Sequence, residues 1–263
     1  MAKYSDSGKD PYTYPDCDVL RNRFGIKDQS QLDTLESSFA AIRAAELEVD
    51  PVVGLFDFDH LRETHRRLFG DVYDWAGQLR QVDISKNDTR FANAGYLESA
   101  GKKLFQQLAK ENQLHGLSLD ELSQRLGEYL GEINVLHPFR EGNGRTQREF
   151  IGQLARENGY RINWEGISQN DMVNASIEAY HGSSASLGEL IRTNLTDLGV
   201  EKASIDSDFS EPSLSLQLQS QSILQNMEVE PSLEVQLEAQ ETLAVTKNKH
   251  NLEEDTDEPG MDM

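Results

Sequence analysis

The middle of the chain constrains the fold most, because it predicts two amphipathic helices joined by a short polar break. Ser118 followed by Glu121 is a capping box, which marks the beginning of the first helix. An apolar stripe at helical spacing then continues as far as Leu136. We predict that the helix ends there, because Pro138 disfavours helical backbone angles at His137.

The second helix is predicted to run from Asn143 to Asn158, with Gly159 as the residue that ends it. Arg145 and Arg148 are three residues apart and would share one face of its first turn. Cations are unfavourable there, because the N–H groups that open a helix already carry partial positive charge. Two arginines at this end therefore predict an anion that the N–H groups and the guanidinium groups bind together.

The polar break supplies the other groups that a phosphate site needs. Gly142 and Gly144 carry no side chain, so a phosphate can approach the main chain, and Asn143 adds an amide donor. Glu141 would repel phosphate unless a divalent cation lay between them, and one carboxylate with phosphate and water is a usual Mg²⁺ environment. His137 ordinarily titrates near neutral pH, which suits a general base. The pattern predicts nucleotidyl or phosphoryl transfer to an acceptor hydroxyl.

This segment resembles the signature of the Fic family, His-x-Phe-x-(Asp/Glu)-Gly-Asn-Gly-Arg-x-x-Arg, at every specified position. The segments "DPYTYPDCDVLRNRFGI" and "LFGDVYDWAGQLR" are also similar to bacterial Fic toxins and to the Fic domains of Bartonella-type effectors. The similarity extends from about Asp10 to Leu198. It implies a mainly helical Fic fold that transfers AMP from ATP to a Tyr, Ser or Thr hydroxyl of a target protein.

The resemblance also implies residue roles: His137 is the general base, Glu141 is the Mg²⁺ ligand, and Phe139 anchors the loop in the core. The nucleotide-binding residues that it implies are Glu141, Gly142, Asn143, Gly144, Arg145 and Arg148. The glycine-rich segment would form the anion hole around the α- and β-phosphates, and the two arginines would bind the outer phosphates. Related Doc-type kinases carry lysine at the position of Gly144, so glycine favours AMP transfer over phosphorylation.

Residues 78–95 interrupt the helical pattern and predict a β-hairpin, because apolar residues alternate with polar ones and "KND" is a turn sequence. The resemblance identifies the hairpin, at residues 80–92, as the family's flap, to which an extended target segment would pair by strand addition. The target-docking residues are then Val82, Asp83, Ile84, Arg90 and Phe91. Lys86 and Asn87 at the tip are further candidates for nucleotide contact. The alternative is that the hairpin only covers a hydrophobic groove.

Three more helices are predicted before the capping box, because apolar residues recur at helical spacing. They lie within residues 30–47, 56–70 and 96–114. With the two helices of the middle segment and the hairpin, they indicate an all-α Fic fold with a small β-hairpin flap.

The composition changes near residue 200. No aromatic residue follows Phe209, and Ser, Gln, Leu and Glu dominate the remaining sequence. Such a segment buries too little apolar surface to offset its chain entropy, so we predict a disordered acidic tail at 201–263 after a Fic domain at 1–200, with its core at about 55–198. The tail repeats "EPSLSLQLQSQ" as "EPSLEVQLEAQ", which indicates either low-complexity drift or a partner-binding or export segment.

Charge and cysteine content exclude several classes of protein. The formal net charge is −21, and residues 1–200 contain no basic tract, so direct nucleic-acid binding is not expected. The single cysteine, Cys17, excludes a disulfide framework. The sequence has neither a signal peptide nor an apolar run of membrane-spanning length, so we expect a soluble protein. The resemblance implies the bacterial cytoplasm, with delivery into another cell by a secretion system as an alternative.

Many Fic enzymes carry an inhibitory helix with the sequence Ser/Thr-x-x-x-Glu-(Gly/Asn), and the chain contains no such sequence. We therefore expect a toxin or effector that is inhibited by a separate small antitoxin, whose glutamate would face Arg148. A degenerate internal inhibitor is the alternative. For the activity, the alternatives are another Fic-type transfer, such as phosphorylation, and a non-catalytic docking protein that acts through its tail.

Overall fold

The computed structural model describes residues 10–86 and 89–199, which form seven helices and two short antiparallel ladders. The helices are α1 (Gln29–Val49), α2 (Phe58–Phe69), α3 (Leu97–Lys110), α4 (Leu119–Leu136), α5 (Asn143–Glu157), α6 (Gln169–Tyr180) and α7 (Ala185–Thr193). The strands are β1 (Ser85–Lys86), β2 (Thr89–Arg90), β3 (Tyr160–Ile162) and β4 (Leu195–Asp197). The predicted fold class is confirmed. The predicted tail lies outside the described residues, so the domain division stays a prediction.

The ends of α4 and α5 follow from the local sequence as predicted. The Ser118 hydroxyl accepts from the Glu121 N–H, and the Glu121 carboxylate accepts from the Ser118 N–H. At the other end, His137 adopts a left-handed conformation with φ of 45°, while its N–H still donates to the Ile133 carbonyl. Gly159, with φ of 88°, follows α5. Pro138 and the capping box thus place the polar break between two well-defined helices.

The larger hydrophobic core lies around α4 and α5, against which α2, α3, α6 and α7 pack. Its fully buried side chains include Leu126, Ile133, Phe150, Ile151 and Leu154. Each such side chain contributes roughly 1.5–3 kcal/mol on burial. This core holds the end of α4 and the beginning of α5 in place, which fixes the loop between them. No helix among the described residues is long and apolar enough to cross a membrane.

A second hydrophobic cluster joins the N-terminal strap, which we define as residues 10–26, to α1 and to the end of α2. The strap turns back on itself through an isolated bridge between Thr13 and Leu20. Its main chain is also tied to the segment after α2, because the Arg23 N–H donates to the Val72 carbonyl at 2.9 Å. The strap therefore packs next to the polar break although it precedes the break by more than 100 residues.

The structure differs from the sequence prediction in four elements. The helices α6 and α7 and the β3–β4 ladder were not predicted. Only Ala175 is buried in α6, so its sequence lacks the apolar stripe that reveals a helix. The predicted hairpin at 78–95 is also shorter, since its ladder contains only the pairs Ser85–Arg90 and Lys86–Thr89. Flanking carbonyl groups, those of Val82 and Ala92, accept instead from the Arg80 guanidinium.

Candidate active site

The loop between α4 and α5, residues 137–142, is buried along its whole length and is called the signature loop below. Phe139 is 1% exposed and packs in the larger core, which confirms its role as an anchor. The side-chain oxygen of Asn143 accepts from the Phe139 N–H at 2.9 Å, and its side-chain nitrogen donates to the Phe139 carbonyl at 2.7 Å. The amide of Asn143 was expected to donate to an anion. In the structure it closes the loop, and the residue also offers an anion its main-chain N–H.

Gly142 precedes α5 in a conformation that only glycine adopts readily, with φ of 79°. A Cβ atom added there would lie 2.5 Å from the ring of Phe69, so the position also has no room for a side chain. The Gly142 N–H donates to Oε1 of Glu141 at 3.0 Å. A main-chain donor of the predicted anion hole is therefore already directed at a carboxylate, as expected for a site that attracts negative charge.

His137 lies at the end of α4 with its ring buried and stacked on Phe91, at 3.7 Å between ring centroids. Its Nδ1 atom is 3.1 Å from the Asn134 carbonyl oxygen. Because a carbonyl only accepts, Nδ1 carries the proton and Nε2 carries the lone pair of the neutral ring. Burial, with a smaller contribution from the charges of Arg80 and Lys86, lowers the pKa of His137 to about 3. The residue is therefore in its basic form at neutral pH.

The two signature arginines have different surroundings. Arg145 forms an ion pair with the buried Glu36 of α1, and its guanidinium lies over the ring of Phe69, at 4.6 Å from the centroid. Arg148 makes no ion pair or side-chain hydrogen bond within the part of the chain that the structure describes. Burial and the neighbouring charge of Arg145 lower the pKa of the Arg148 guanidinium. Arg148 is thus the cation of this pair whose charge is not compensated, which favours an anionic ligand beside it.

A cavity of about 280 Å³ lies next to these arginines, between α1 and α5. It is lined on one side by α1 and on the other by Arg145, Arg148, Glu149 and Trp164. Glu36 also accepts from the hydroxyl of Tyr73, whose pKa is raised by burial and by the carboxylate. Glu36 was not predicted, because nothing near it in the sequence distinguishes it from other acidic residues of an amphipathic helix.

Arg80 was not predicted either; its guanidinium is buried and bonds to main-chain carbonyl groups. Its Nε atom donates to the His137 carbonyl at 2.8 Å, and its main-chain N–H donates to the Pro138 carbonyl at 2.9 Å. The other guanidinium nitrogens donate to the carbonyls of Val82 and Ala92 on the two sides of the flap, and more weakly to that of Leu136. One side chain therefore joins the flap to the end of α4 and to His137.

His65 of α2 holds the other end of the signature loop. Its Nδ1 atom accepts from the Gly77 N–H at 2.8 Å, so Nε2 carries the proton and donates to the Glu141 carbonyl at 3.0 Å. The ring also stacks on Phe139, with 3.9 Å between centroids. Burial lowers the pKa of His65 to about 3, so the residue is neutral and acts by positioning the loop.

This low pKa predicts a loss of stability in mild acid. The unfolded chain binds a proton at His65 near its ordinary pKa of 6.5, whereas the folded chain does so only near 3. The contribution to stability is therefore complete above pH 6.5 and declines as the pH falls towards 3. Between pH 7 and pH 5, protonation of His65 alone should lower the free energy of unfolding of the chain by about 2 kcal/mol.

Urea unfolding at the two pH values measures this effect. His65→Gln should reduce the difference between pH 7 and pH 5 by about 2 kcal/mol. His115→Gln removes an exposed histidine and should leave the difference as in the unmodified chain. Equal pH sensitivity of the His65→Gln variant and the unmodified chain would contradict the assignment.

The residues of the predicted flap divide into buried and exposed groups. Ile84 and Phe91 are buried, and the ring of Phe91 stacks on the ring of His137. Val82 and Asp83 are half-buried, and Asp83 accepts from the N–H of Ala94 at 2.7 Å. Arg90 is exposed. Among the tip residues, Lys86 is exposed and Asn87 lies outside the described residues.

Glu141 is the residue at this site that fits a metal ion. Its carboxylate lies at the N-terminus of α5, with Oε1 at 3.8 Å from a nitrogen of Arg145. The described residues contain no group of three or more His, Cys, Asp or Glu side chains arranged to hold a metal. A single carboxylate beside a helix N-terminus, which favours anions, suits Mg²⁺, because this ion usually takes its remaining ligands from substrate phosphates and water.

A family model described as the Fic/DOC family matches residues 55–155. Protein adenylyltransferase VbhT of Bartonella schoenbuchensis is 52% identical over 202 residues, which cover 77% of this chain and 42% of VbhT. The probable protein adenylyltransferase Fic of Escherichia coli is 46% identical over 170 residues, which cover 64% of this chain and 84% of that protein. The chain thus spans most of the Escherichia coli relative but less than half of VbhT.

Solved structures of Fic proteins have a fold similar to that of this chain. An N-terminal Fic domain of a cell filamentation protein from Bartonella quintana, with bound ADP, has a TM-score of 0.67 at 30% identity. The alignment covers 73% of this chain and 97% of that one. The BepC protein of Bartonella tribocorum, with bound AMPPNP, has a TM-score of 0.65 at 26% identity, over 71% of this chain and 96% of that one. Both neighbours therefore bind adenine nucleotides on a fold similar to this one.

Proposed function

The chain belongs to the Fic/DOC family, and on this basis we propose that it is a protein adenylyltransferase that transfers AMP from ATP to a hydroxyl side chain of a target protein. The observation that carries the proposal is the arrangement at the break between α4 and α5. A neutral, buried His137 lies at the end of one helix, and the uncompensated Arg148 lies in the first turns of the next. Relatives that are 42–52% identical are named protein adenylyltransferases, which supports the same chemistry.

His137 would act as the general base. Its proton is on Nδ1, held towards the Asn134 carbonyl, so Nε2 accepts the proton of the target hydroxyl. The hydroxyl oxygen then forms a bond to the α-phosphorus of ATP, and the bond from that phosphorus to the bridging oxygen breaks. Pyrophosphate leaves, and AMP remains on the target as an ester. Arg80 and the left-handed backbone at His137 keep the ring in position for this proton transfer.

The anion site at α5 would bind the phosphates of ATP. The main-chain N–H groups of Gly142, Asn143 and Gly144 open the helix and would bind the α- and β-phosphates. Glu141 would hold Mg²⁺, which when bound neutralises phosphate charge next to this carboxylate. Arg148 would bind the outer phosphates first, because Arg145 already has Glu36 as its counter-ion. Lys86 and Asn87 remain candidates for nucleotide contact from the flap.

Gly144 supports AMP transfer over phosphorylation. The residue is exposed, and a Cβ atom added there would lie 3.5 Å from a nitrogen of Arg148. A lysine at this position would add a second cation beside Arg148 and change how the outer phosphates bind. With glycine, the space next to Arg148 stays open for the terminal phosphates, which leaves the α-phosphate nearer to the histidine.

The flap would bind the target segment through its main chain. The ladder of two residue pairs leaves an edge to which an extended segment can add as a strand. Because Ile84 and Phe91 are buried, sequence preference would come from the remaining docking residues: Val82, Asp83 and Arg90. A strand added at this edge would lie close to His137, whose ring stacks on Phe91.

A separate small antitoxin would regulate the enzyme. The inhibitor sequence that many Fic enzymes contain is missing from this chain, and Arg148 has no carboxylate partner among the described residues. An antitoxin with a Ser/Thr-x-x-x-Glu-(Gly/Asn) helix would place its glutamate on Arg148 and displace the outer phosphates. We place the enzyme in the bacterial cytoplasm as a toxin or effector. Several solved relatives are named VirB-translocated effectors, which supports delivery into another cell as the alternative.

Mass spectrometry of a modified target tests the proposal. The purified chain is incubated with ATP, Mg²⁺ and a lysate, and modified proteins are identified by the added mass. We expect an AMP group on a Tyr, Ser or Thr residue, formed without removal of any inhibitor from the purified chain. A phosphate group on the target in place of AMP would show that the chain is a kinase. No transfer at all would favour a docking protein or an internal inhibitor.

A further inference from the structure

We propose that the ion pair between Asp10 and Arg140 clamps the signature loop, which makes Asp10 a positioning residue for the reaction at His137. The effect on the reaction rate rests on the proposed function, whereas the effect on the mobility of the loop does not. Asp10 lies outside the segment that the family model matches, residues 55–155, and the signature leaves position 140 unspecified. The pair is therefore a feature of this chain that the signature does not describe.

The geometry of the pair is that of a buried, charge-assisted hydrogen bond. The Nε and Nη2 atoms of Arg140 both donate to Oδ2 of Asp10, at 2.8 and 2.5 Å. The side chain of Arg140 is 5% exposed and that of Asp10 is 11% exposed. Pairs of this kind are strongly coupled, because removal of one charge leaves the other buried without its partner.

The other carboxylate oxygen of Asp10 fixes the pair to the strap. Oδ1 of Asp10 accepts from the Tyr12 N–H at 2.9 Å, and the Tyr12 hydroxyl accepts from the N–H of Gln81 at 3.1 Å. Gln81 follows Arg80, the residue that holds the carbonyls of the flap and of His137. The N-terminal strap thus binds both the signature loop and the base of the flap, two segments that contribute to the proposed site.

The position of Arg140 within the loop gives the clamp a role in the reaction. Arg140 immediately precedes Glu141, the proposed Mg²⁺ ligand, and lies three residues after His137. Asn143 and His65 hold the neighbouring main-chain groups from the core side. Without the clamp, the loop would lose its tie to the strap, and the carboxylate of Glu141 would be less firmly positioned relative to the N-terminus of α5. Small displacements of this kind cost about 100-fold in rate.

The test compares Asp10→Asn with Asp16→Asn in the full chain. Asp16 lies on the same strap and forms an ion pair with Lys27 at 2.8 Å, but both side chains are more than half exposed. The two variants make the same chemical change in the same segment. Hydrogen exchange of the amides of residues 136–150 is measured first, and AMP transfer is measured as kcat and as KM for ATP. Asp10→Glu, which retains the charge, is the conservative variant.

Asp10→Asn should accelerate exchange in the signature loop while α7 exchanges as before, and should lower kcat by about 100-fold. Asp10→Glu should retain most of the protection from exchange and most of kcat. Asp16→Asn should behave as the unmodified chain. Unchanged loop exchange in Asp10→Asn would overturn the proposal, as would a loss of kcat that only follows a fall in global stability. If the loop loosens but the unmodified chain transfers no AMP, the clamp stands and the proposed function fails.

Discussion

His137→Ala should lower the rate of AMP transfer to target proteins by about 10²–10⁴-fold. The reason is that Nε2 of the neutral ring is the atom that would take the hydroxyl proton, since Nδ1 is committed to the Asn134 carbonyl. Alanine leaves no group that can accept the proton. The measurement is transfer of AMP from ATP labelled at the α-phosphate, at saturating ATP and Mg²⁺.

Nucleotide affinity separates this effect from a damaged site. His137 does not belong to the phosphate cradle at α5, so the variant should bind ADP with Mg²⁺ about as tightly as the unmodified chain. His181→Ala, a substitution of an exposed histidine at the end of α6, is the matched control and should retain full transfer. Transfer that survives His137→Ala would show that another group accepts the proton.

The pH dependence of the reaction adds a second readout for the same residue. Because burial lowers the pKa of His137 to about 3, the basic form persists well below the ordinary value of 6.5. The rate should therefore show no loss that centres near pH 6.5, and a loss through this residue should appear only as the pH approaches 3.

Arg80→Gln should lower the free energy of unfolding by about 3–5 kcal/mol, the largest stability effect that we expect from one polar side chain here. Arg80 is 2% exposed, and its guanidinium donates to four main-chain carbonyls, those of His137, Leu136, Val82 and Ala92. Glutamine is too short to reach them all, and each buried carbonyl left without a donor costs about 1–3 kcal/mol. Urea unfolding followed by circular dichroism measures the change.

Two further variants make the Arg80 experiment specific. Arg80→Lys retains the charge but lacks the planar fork of donors, so it should recover only part of the lost stability. Arg90→Gln removes an arginine of the same flap whose side chain is 75% exposed and whose ion pair with Asp83 is long, at 3.6 Å. This change should cost less than about 1 kcal/mol. Equal unfolding midpoints for Arg80→Gln and Arg90→Gln would contradict the structural role of Arg80.

The sequence predicted the parts of the site that depend on neighbours in the chain. The capping box at Ser118 and the effect of Pro138 on His137 fixed the two helix ends, and both are found as predicted. The misplaced cations at the beginning of α5 indicated an anion, and Arg148 has no counter-ion among the described residues. The fold class was also predictable, because apolar spacing and helix-end signals mark five of the seven described helices.

The side chain of Asn143 has a second role, in closing the loop, that the sequence did not predict. An amide in a glycine-rich break can donate to an anion or close the loop, and local sequence does not distinguish these uses. The buried main-chain groups of Phe139 needed partners, and Asn143 supplies both of them. The short ladder of the flap has a similar cause, since Arg80 takes carbonyl groups that a longer hairpin would have paired.

The sequence by itself determined the order of a base, a carboxylate, an anion-binding helix end and two arginines, because capping, proline sterics and helical spacing act over a few residues. The tertiary structure alone decided which distant side chains hold these groups. Asp10 pairs with Arg140, Glu36 with Arg145, and His65 binds the Glu141 carbonyl. These partners come from the strap, α1 and α2, and nothing in their local sequence selects them. They meet the signature loop because burial of the two hydrophobic clusters brings their segments together, and buried polar groups then require partners.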